Sequence, residues 1–308
     1  MGVRQLLIVS LLFASVGCTS RSSEERRREP ETFTVYAVNY PLAYFAERLA
    51  PAGVEVVLPV ARDVDPAFWR PSPEEIVAFQ QADLILLNGA GYAGWTKTAT
   101  LPKSRTVVTA DGCREAYLPA EAEAMHRHGP EGDHSHGAMA FTTWLDFELA
   151  ACQADHVADA LTRALPEAKD HIQTARVALN ADLEQLDTEL RNVAGPLRDM
   201  PLFASHPVYQ YLGSAYGLSI RSFHLEPDQA LDTDALSKID AAKEDHDASI
   251  MLWEAEPLAG TREALAARGI RVAVFEPAGN RPPRGEWHEV MRRNVETLRC
   301  ASTKEGCP

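Results

Sequence analysis

The chain has 308 residues, 45% of them hydrophobic and 24% charged, which excludes a disordered or fibrous protein. It also exceeds the size at which one hydrophobic core stops growing, so two domains are expected. Lys and Arg number 30 against 44 Asp and Glu, and the resulting net charge of −14 would repel a phosphate backbone and excludes nucleic acid as a partner.

At the N-terminus, Arg4 precedes an apolar stretch, Leu6 to Val16, that is too short to span a bilayer. The small residues Ser15-Val16-Gly17 then stand directly before Cys18. A small-residue cleavage site ending in Cys resembles a bacterial lipoprotein signal, in which the cysteine is acylated and becomes the new first residue. Residues 1–17 are then the signal peptide and Cys18 the lipidation site. The Ser-, Arg- and Glu-rich residues 18–32 form a tether between lipid and folded protein. Such a protein is periplasmic or sits on the outer face of the cytoplasmic membrane. In that oxidising setting Cys113, Cys152, Cys300 and Cys307 read as disulfide candidates, with three pairings open.

From Phe33 onward, short apolar runs alternate with amphipathic stretches. Phe33 to Val38 reads as a strand, Leu42 to Leu49 as a helix, Val54 to Val60 as a strand, Pro73 to Gln80 as a helix and Leu84 to Asn88 as a buried strand. Ser72-Pro73-Glu74-Glu75 places a hydroxyl cap, a first-turn proline and two acids where a helix start favours them. Past the break at Pro166, the apolar positions Ile172, Ala175, Leu179, Leu183, Leu186, Leu190 and Val193 fall on one stripe of a single helix from Glu167 to Val193, about 40 Å long. Strands then recur at Leu202 to Ala204, Ser219 to Phe223, Ile250 to Trp253 and Val272 to Phe275. Helices at Tyr209 to Tyr216, Asp234 to Glu244 and Arg262 to Arg268 separate them.

The expected fold is therefore α/β: two βα lobes joined by one long rigid helix, with a ligand cleft between the lobes. The divisions are a first lobe over 33–146 carrying a His-rich loop at 125–137, connecting helices over 147–196, a second lobe over 197–299 and a tail over 300–308. Trp69, Trp144 and Trp253 read as core.

Ligands in open α/β sheets bind beyond the carboxyl ends of strands. Four loops there carry chemistry: Ala61 to Pro73, Met125 to Thr143, Ser205-His206-Pro207 and Glu276-Pro277-Ala278-Gly279. His126, His128, His134 and His136, with Glu131 and Asp133 between them, are donors that suit Zn²⁺ or Cu²⁺. Asp63 and Asp65 are oxygen-donor candidates, with turn formation beside Pro66 as their alternative role.

Several segments together resemble one family. They are Asn39-Tyr40-Pro41-Leu42-Ala43-Tyr44-Phe45-Ala46, Asp65-Pro66-Ala67-Phe68-Trp69-Arg70-Pro71-Ser72-Pro73, Ala82-Asp83-Leu84-Ile85-Leu86-Leu87-Asn88-Gly89, Thr143-Trp144-Leu145-Asp146 and the run from His206-Pro207 through Tyr211 to Leu218. The chain is similar, from Phe33 to about Val295, to the bacterial solute-binding lipoproteins that serve zinc and manganese ABC transporters, and most of all to the zinc type with a His-rich loop. The resemblance implies a monomer that captures one divalent ion, Zn²⁺ or Mn²⁺, between its lobes and passes it to an ABC permease. It carries the third metal-ligand position onto His206 and the fourth onto Glu276. At the first and second positions, where the family has histidine, this chain has Ala67 and Thr142. The His-rich loop, Asp63 and Asp65 are the candidates to compensate.

Two other readings remain open. The same scaffold could hold a non-metal or organic ligand, as the two replaced histidines would permit. A metal-dependent hydrolase is the other, but there is no His-Glu-x-x-His helix and no Gly-x-Ser-x-Gly elbow. Gly89-Ala90-Gly91-Tyr92-Ala93-Gly94 reads as a tight turn and not as a phosphate loop. The expectation is a binding protein and not an enzyme.

Overall fold

The computed structural model describes residues 32–120 and 139–303. The first sheet contains β1 (Phe33–Ala37), β2 (Val54–Val57), β3 (Leu84–Leu87) and β4 (Thr106–Val108), with α1 (Tyr40–Leu49) and α2 (Pro73–Gln81) connecting its first three strands. The second sheet contains β5 (Leu202–Ala204), β6 (Ile220–Ser222), β7 (Ile250–Trp253) and β8 (Arg271–Val274), and α5 (Gln210–Tyr216), α6 (Thr233–Asp245) and α7 (Ala259–Ala266) follow its first three strands in turn. Between the sheets run α3 (Phe147–Ala164) and α4 (Lys169–Ala194), and α8 (Trp287–Ala301) comes last.

Both sheets are parallel and share one strand order, β2-β1-β3-β4 and β6-β5-β7-β8. The winding therefore reverses between β1 and β3 in one sheet and between β5 and β7 in the other. Beyond the carboxyl ends of those inner pairs lie the two crevices where such sheets bind ligands. The inner strands β3 (LILL) and β7 (IMLW) are continuously apolar because helices cover both of their faces.

β5 and β7 match the apolar runs, and the other anticipated strands end one to three residues earlier. Two elements were not anticipated. One is β4, three residues long between two short 3₁₀ turns. Helix α8 buries Trp287, Val290, Met291, Val295 and Leu298 at helical spacing, a legible stripe that the sequence reading passed over. The expected long helix starts at Lys169 and not Glu167, because Pro166–Ala168 form a separate 3₁₀ turn. Its 26 residues span about 39 Å. Six of the seven stripe residues are buried, and Ala175 is partly so. Ser72 closes a reciprocal cap on α2: its hydroxyl accepts from Glu75 N at 3.2 Å while the Glu75 carboxylate accepts from Ser72 N at 2.6 Å.

One core runs through both lobes and includes α1, α3, α4 and α8, with Trp144 and Trp287 about 1% and 0% exposed. Trp253 is also fully buried, and Trp69 packs against Phe79 and Trp95. Hydrogen bonds tie the segment after β8 to the first lobe. Tyr40 N donates to Gly279 O at 2.8 Å, Trp144 Nε1 to Pro277 O at 2.7 Å and Asn280 Nδ2 to Ala61 O and Val64 O at 2.6 and 2.8 Å. Of the three open cysteine pairings, the chain adopts the one that joins Cys113 to Cys152. Cys300 is disulfide-bonded as well. Cys18, Cys307, the four loop histidines and the signal segment lie outside the described residues.

The first crevice is closed by polar side chains. Asn39 and Asn88, which follow β1 and β3, are both buried, and Asn39 Nδ2 donates to Asn88 Oδ1 at 3.0 Å. Asn88 Nδ2 donates to Phe141 O at 3.0 Å, and Gln153 Nε2 donates to Asn88 Oδ1 at 3.1 Å. Removing a buried hub of this kind leaves donors and acceptors without partners. Asn88→Ala is expected to lower the unfolding free energy by about 2–3 kcal/mol, read as a lower urea midpoint at unchanged slope. A midpoint within error of the parent would contradict this role.

Candidate metal centre

The second crevice differs from the first. His206 follows β5, Glu254 follows β7 directly and Glu226 lies four residues beyond β6. The strand ladder fixes the start of each loop: Ser205 N donates to Leu252 O at 2.9 Å, and Leu225 N donates to Ser205 O at 2.9 Å. The imidazole of His206 is only 13% exposed and lies between two carboxylates. Its Nδ1 is 2.8 Å from Glu254 Oε1, a short ion-pair contact without an aligned hydrogen bond, and its Nε2 is 3.3 Å from Glu226 Oε1. One donor atom from each of the three residues lies within 4.8 Å of the other two. The ring of His224 stands perpendicular to that of His206 with centroids 6.0 Å apart.

Burial opposes a charge on His206, but the adjacent carboxylate of Glu254, followed by that of Glu226, outweighs it and raises the pKa above the ordinary value. Asp65 faces this group from the first lobe. As a residue it keeps exposed surface, yet its carboxylate is crowded by protein. Burial raises its pKa, the bond from Ala67 N lowers it, and the negative charge of Glu254 raises it again. Asp65 Oδ1 accepts that Ala67 bond at 2.8 Å. Nearby, the Tyr92 hydroxyl is buried and has no hydrogen-bond partner among the described residues; burial and the charge of Asp65 push its pKa far up.

Of the residues singled out in the sequence, the structure brings His206 and Asp65 into mutual electrostatic reach. Glu276 is not in the His206 group. Its main chain is bound to α8, with Glu276 N donating to Asn294 Oδ1 at 3.0 Å and Asn294 Nδ2 donating to Glu276 O at 2.7 Å. Asp63 is exposed in the loop after β2 and is also outside the group. Thr142 has a different task from the histidine it replaces: its buried hydroxyl donates to Val208 O at 2.5 Å and links the lobes directly. Ala67 is buried and supplies only the backbone N–H that holds Asp65.

Neither Glu254 nor Glu226 is among the residues singled out in the sequence. The signal for Glu254 is its position as the first residue after a buried strand at the winding reversal, the place where ligand-binding side chains belong. Glu226, in the acidic run Glu226-Pro227-Asp228, carries no signal that separates it from a solvated turn. Together these residues offer one nitrogen and up to three carboxylates. Zn²⁺ accepts both donor types, whereas Mn²⁺ favours the oxygens.

A profile of the family described as "ZnuA: Zinc-uptake complex component A periplasmic" matches residues 35–301. The high-affinity zinc uptake system protein ZnuA of Bacillus subtilis (strain 168) is 22% identical over 306 residues, covering 96% of this chain and 96% of that protein. The manganese ABC transporter substrate-binding lipoprotein PsaA of Streptococcus pneumoniae is 27% identical over 225 residues, which is 69% of this chain and 67% of PsaA. In fold, the Zn(II)-bound ZnuA-like domain of Streptococcus pneumoniae AdcA superposes with a TM-score of 0.74 at 17% identity, covering 87% of this chain and 98% of that domain. With the family profile running through both sheets and the connecting helices, the chain belongs to the ZnuA family of periplasmic zinc-uptake components.

Proposed function

We propose that this protein is the solute-binding component of an ABC importer, that it captures a divalent transition metal, zinc before manganese, and that it holds the ion at His206, Glu254 and Glu226 with Asp65 completing the site from the opposite lobe. One observation carries the reading: a nearly buried imidazole with a carboxylate against each nitrogen, at the winding reversal of a sheet. Three clustered carboxylates are costly when buried unless a cation joins them. A protonated His206 can play that part, and a metal ion would take it over once the imidazole loses its proton. The family is one of transport components and not of enzymes.

The same reading places residues 1–17 as a signal peptide and acylated Cys18 as the membrane anchor, with 18–32 as the tether. The lobes are 33–146 and 197–299, bridged by 147–196, with a tail over 300–308. The protein works as a monomer on the outer face of the membrane and delivers its ion to the permease. His126, His128, His134 and His136 serve as an accessory store and not as the main ligands.

Titration of the metal-free protein with Zn²⁺ tests the site. One tight site is expected, surviving deletion of residues 126–136. His206→Ala should weaken it at least 100-fold and Glu254→Gln about 10–100-fold, since even indirect partners of metal ligands carry effects of that size. Loss of the tight site on deleting the loop, with His206→Ala harmless, would refute the assignment.

The pH dependence follows from the proton that must leave. The raised pKa means that the His206 pair stabilises the metal-free protein fully below the unfolded value of about 6.5, and that this contribution fades as pH rises through the higher folded value. Zinc affinity should therefore climb about tenfold per pH unit and level off only above pH 6.5. Levelling off below that point would contradict the carboxylate pairing.

A further inference from the structure

The second cluster of metal-binding side chains shares no residue with the first. Cys113 lies in the 3₁₀ segment Asp111–Ala116, and Cys152 lies on α3 with His156 one turn beyond it. The two sulfurs are joined, and a nitrogen of His156 lies within 4.8 Å of both. Nδ1 of His156 is 3.8 Å from Cys152 Sγ and 2.8 Å from Cys152 O. A carbonyl only accepts, so Nδ1 carries the proton of the neutral ring and Nε2 keeps its lone pair. A backbone carbonyl on one nitrogen is also the usual way a metal-binding histidine is oriented.

The imidazole rests on Gly112: a Cβ there would come within 2.1 Å of His156 Nε2. Glycine beside Cys113 therefore lets the ring approach the segment that carries the sulfur. Spacing agrees as well. Cys152 and His156 are four apart on one helix face, a recurrent arrangement for two ligands of one ion. Donor atoms on one tetrahedral zinc lie about 3.3–3.8 Å apart, so once the sulfurs separate the ring must turn to bring Nε2 toward them and seat the ion.

We propose that Cys113, Cys152 and His156 form a second, soft metal site that the disulfide masks and a dithiol exposes. The chemistry balances. A dithiol attacks the Cys113–Cys152 bond and closes to its own disulfide, giving up two electrons and two protons, one of each to either cysteine sulfur. A divalent ion then displaces both thiol protons and binds two thiolates and one imidazole, with its fourth position open. Such a site selects soft and borderline ions and is absent from the oxidised protein.

The test uses the full chain carrying Cys18→Ser, Cys300→Ser and Cys307→Ser, so that only this pair can be reduced, with Co²⁺ as the probe. After reduction and confirmation of two free thiols, a thiolate-to-cobalt charge-transfer absorption should appear at one ion per chain, and it should be absent before reduction. The loop histidines and the carboxylate site cannot produce that absorption, so failure here leaves the proposed function standing. His156→Ala should weaken cobalt binding at least tenfold, and so should Gly112→Ala, which pushes the ring away. Two free thiols without the absorption, unchanged affinity in both variants, or loss of folded structure by circular dichroism on reduction would each overturn the proposal.

Discussion

The arrangement depends on one electrostatic constraint: a nearly buried imidazole held between two carboxylates at the carboxyl ends of a parallel sheet. Glu254 and Glu226 both lie against this one imidazole, and Asp65 adds the charge of a third carboxylate from the first lobe. With the proton in place, His206 is their positive partner and offsets part of the negative charge. When the proton leaves, the same geometry becomes a ready set of one nitrogen and several oxygens. Capture and proton release are therefore two sides of one equilibrium.

Such a site needs two lobes that hold their distance. The α4 helix supplies part of this, and the hydrogen bonds from the Pro277 to Asn280 segment into the first lobe supply the rest. Thr142 contributes to the same clasp by bonding Val208 O, two residues from His206. Where the family pattern has an imidazole, this chain has a direct bond between lobes. The two sheets also divide the labour despite their shared strand order. At the reversal of the first sheet, Asn39 and Asn88 satisfy each other and make a structural hub. At the reversal of the second, His206 and Glu254 lie against each other, Nδ1 to Oε1 at 2.8 Å.

The α/β rhythm, the long helix and the cap at Ser72 were legible because each rests on local periodicity or a fixed short spacing. β4 was not, although β5 and β6 are equally short, and Pro166 shifted a helix start that the apolar stripe alone placed two residues early. At the site, His206 was legible through its neighbours. Glu276 was reached through family resemblance, which weighs position along the chain, whereas Glu254 is set beside His206 by the sheet. The two strands leading to these glutamates are neighbours, β7 and β8, so the competing carboxylates lie one strand apart.

The most direct measurement is X-ray absorption at the zinc edge on protein lacking residues 126–136 and loaded with one equivalent of Zn²⁺. A single imidazole in the coordination shell, with every other ligand an oxygen, is the expected result. Two or more imidazoles around the zinc would contradict a centre built on His206 and carboxylates.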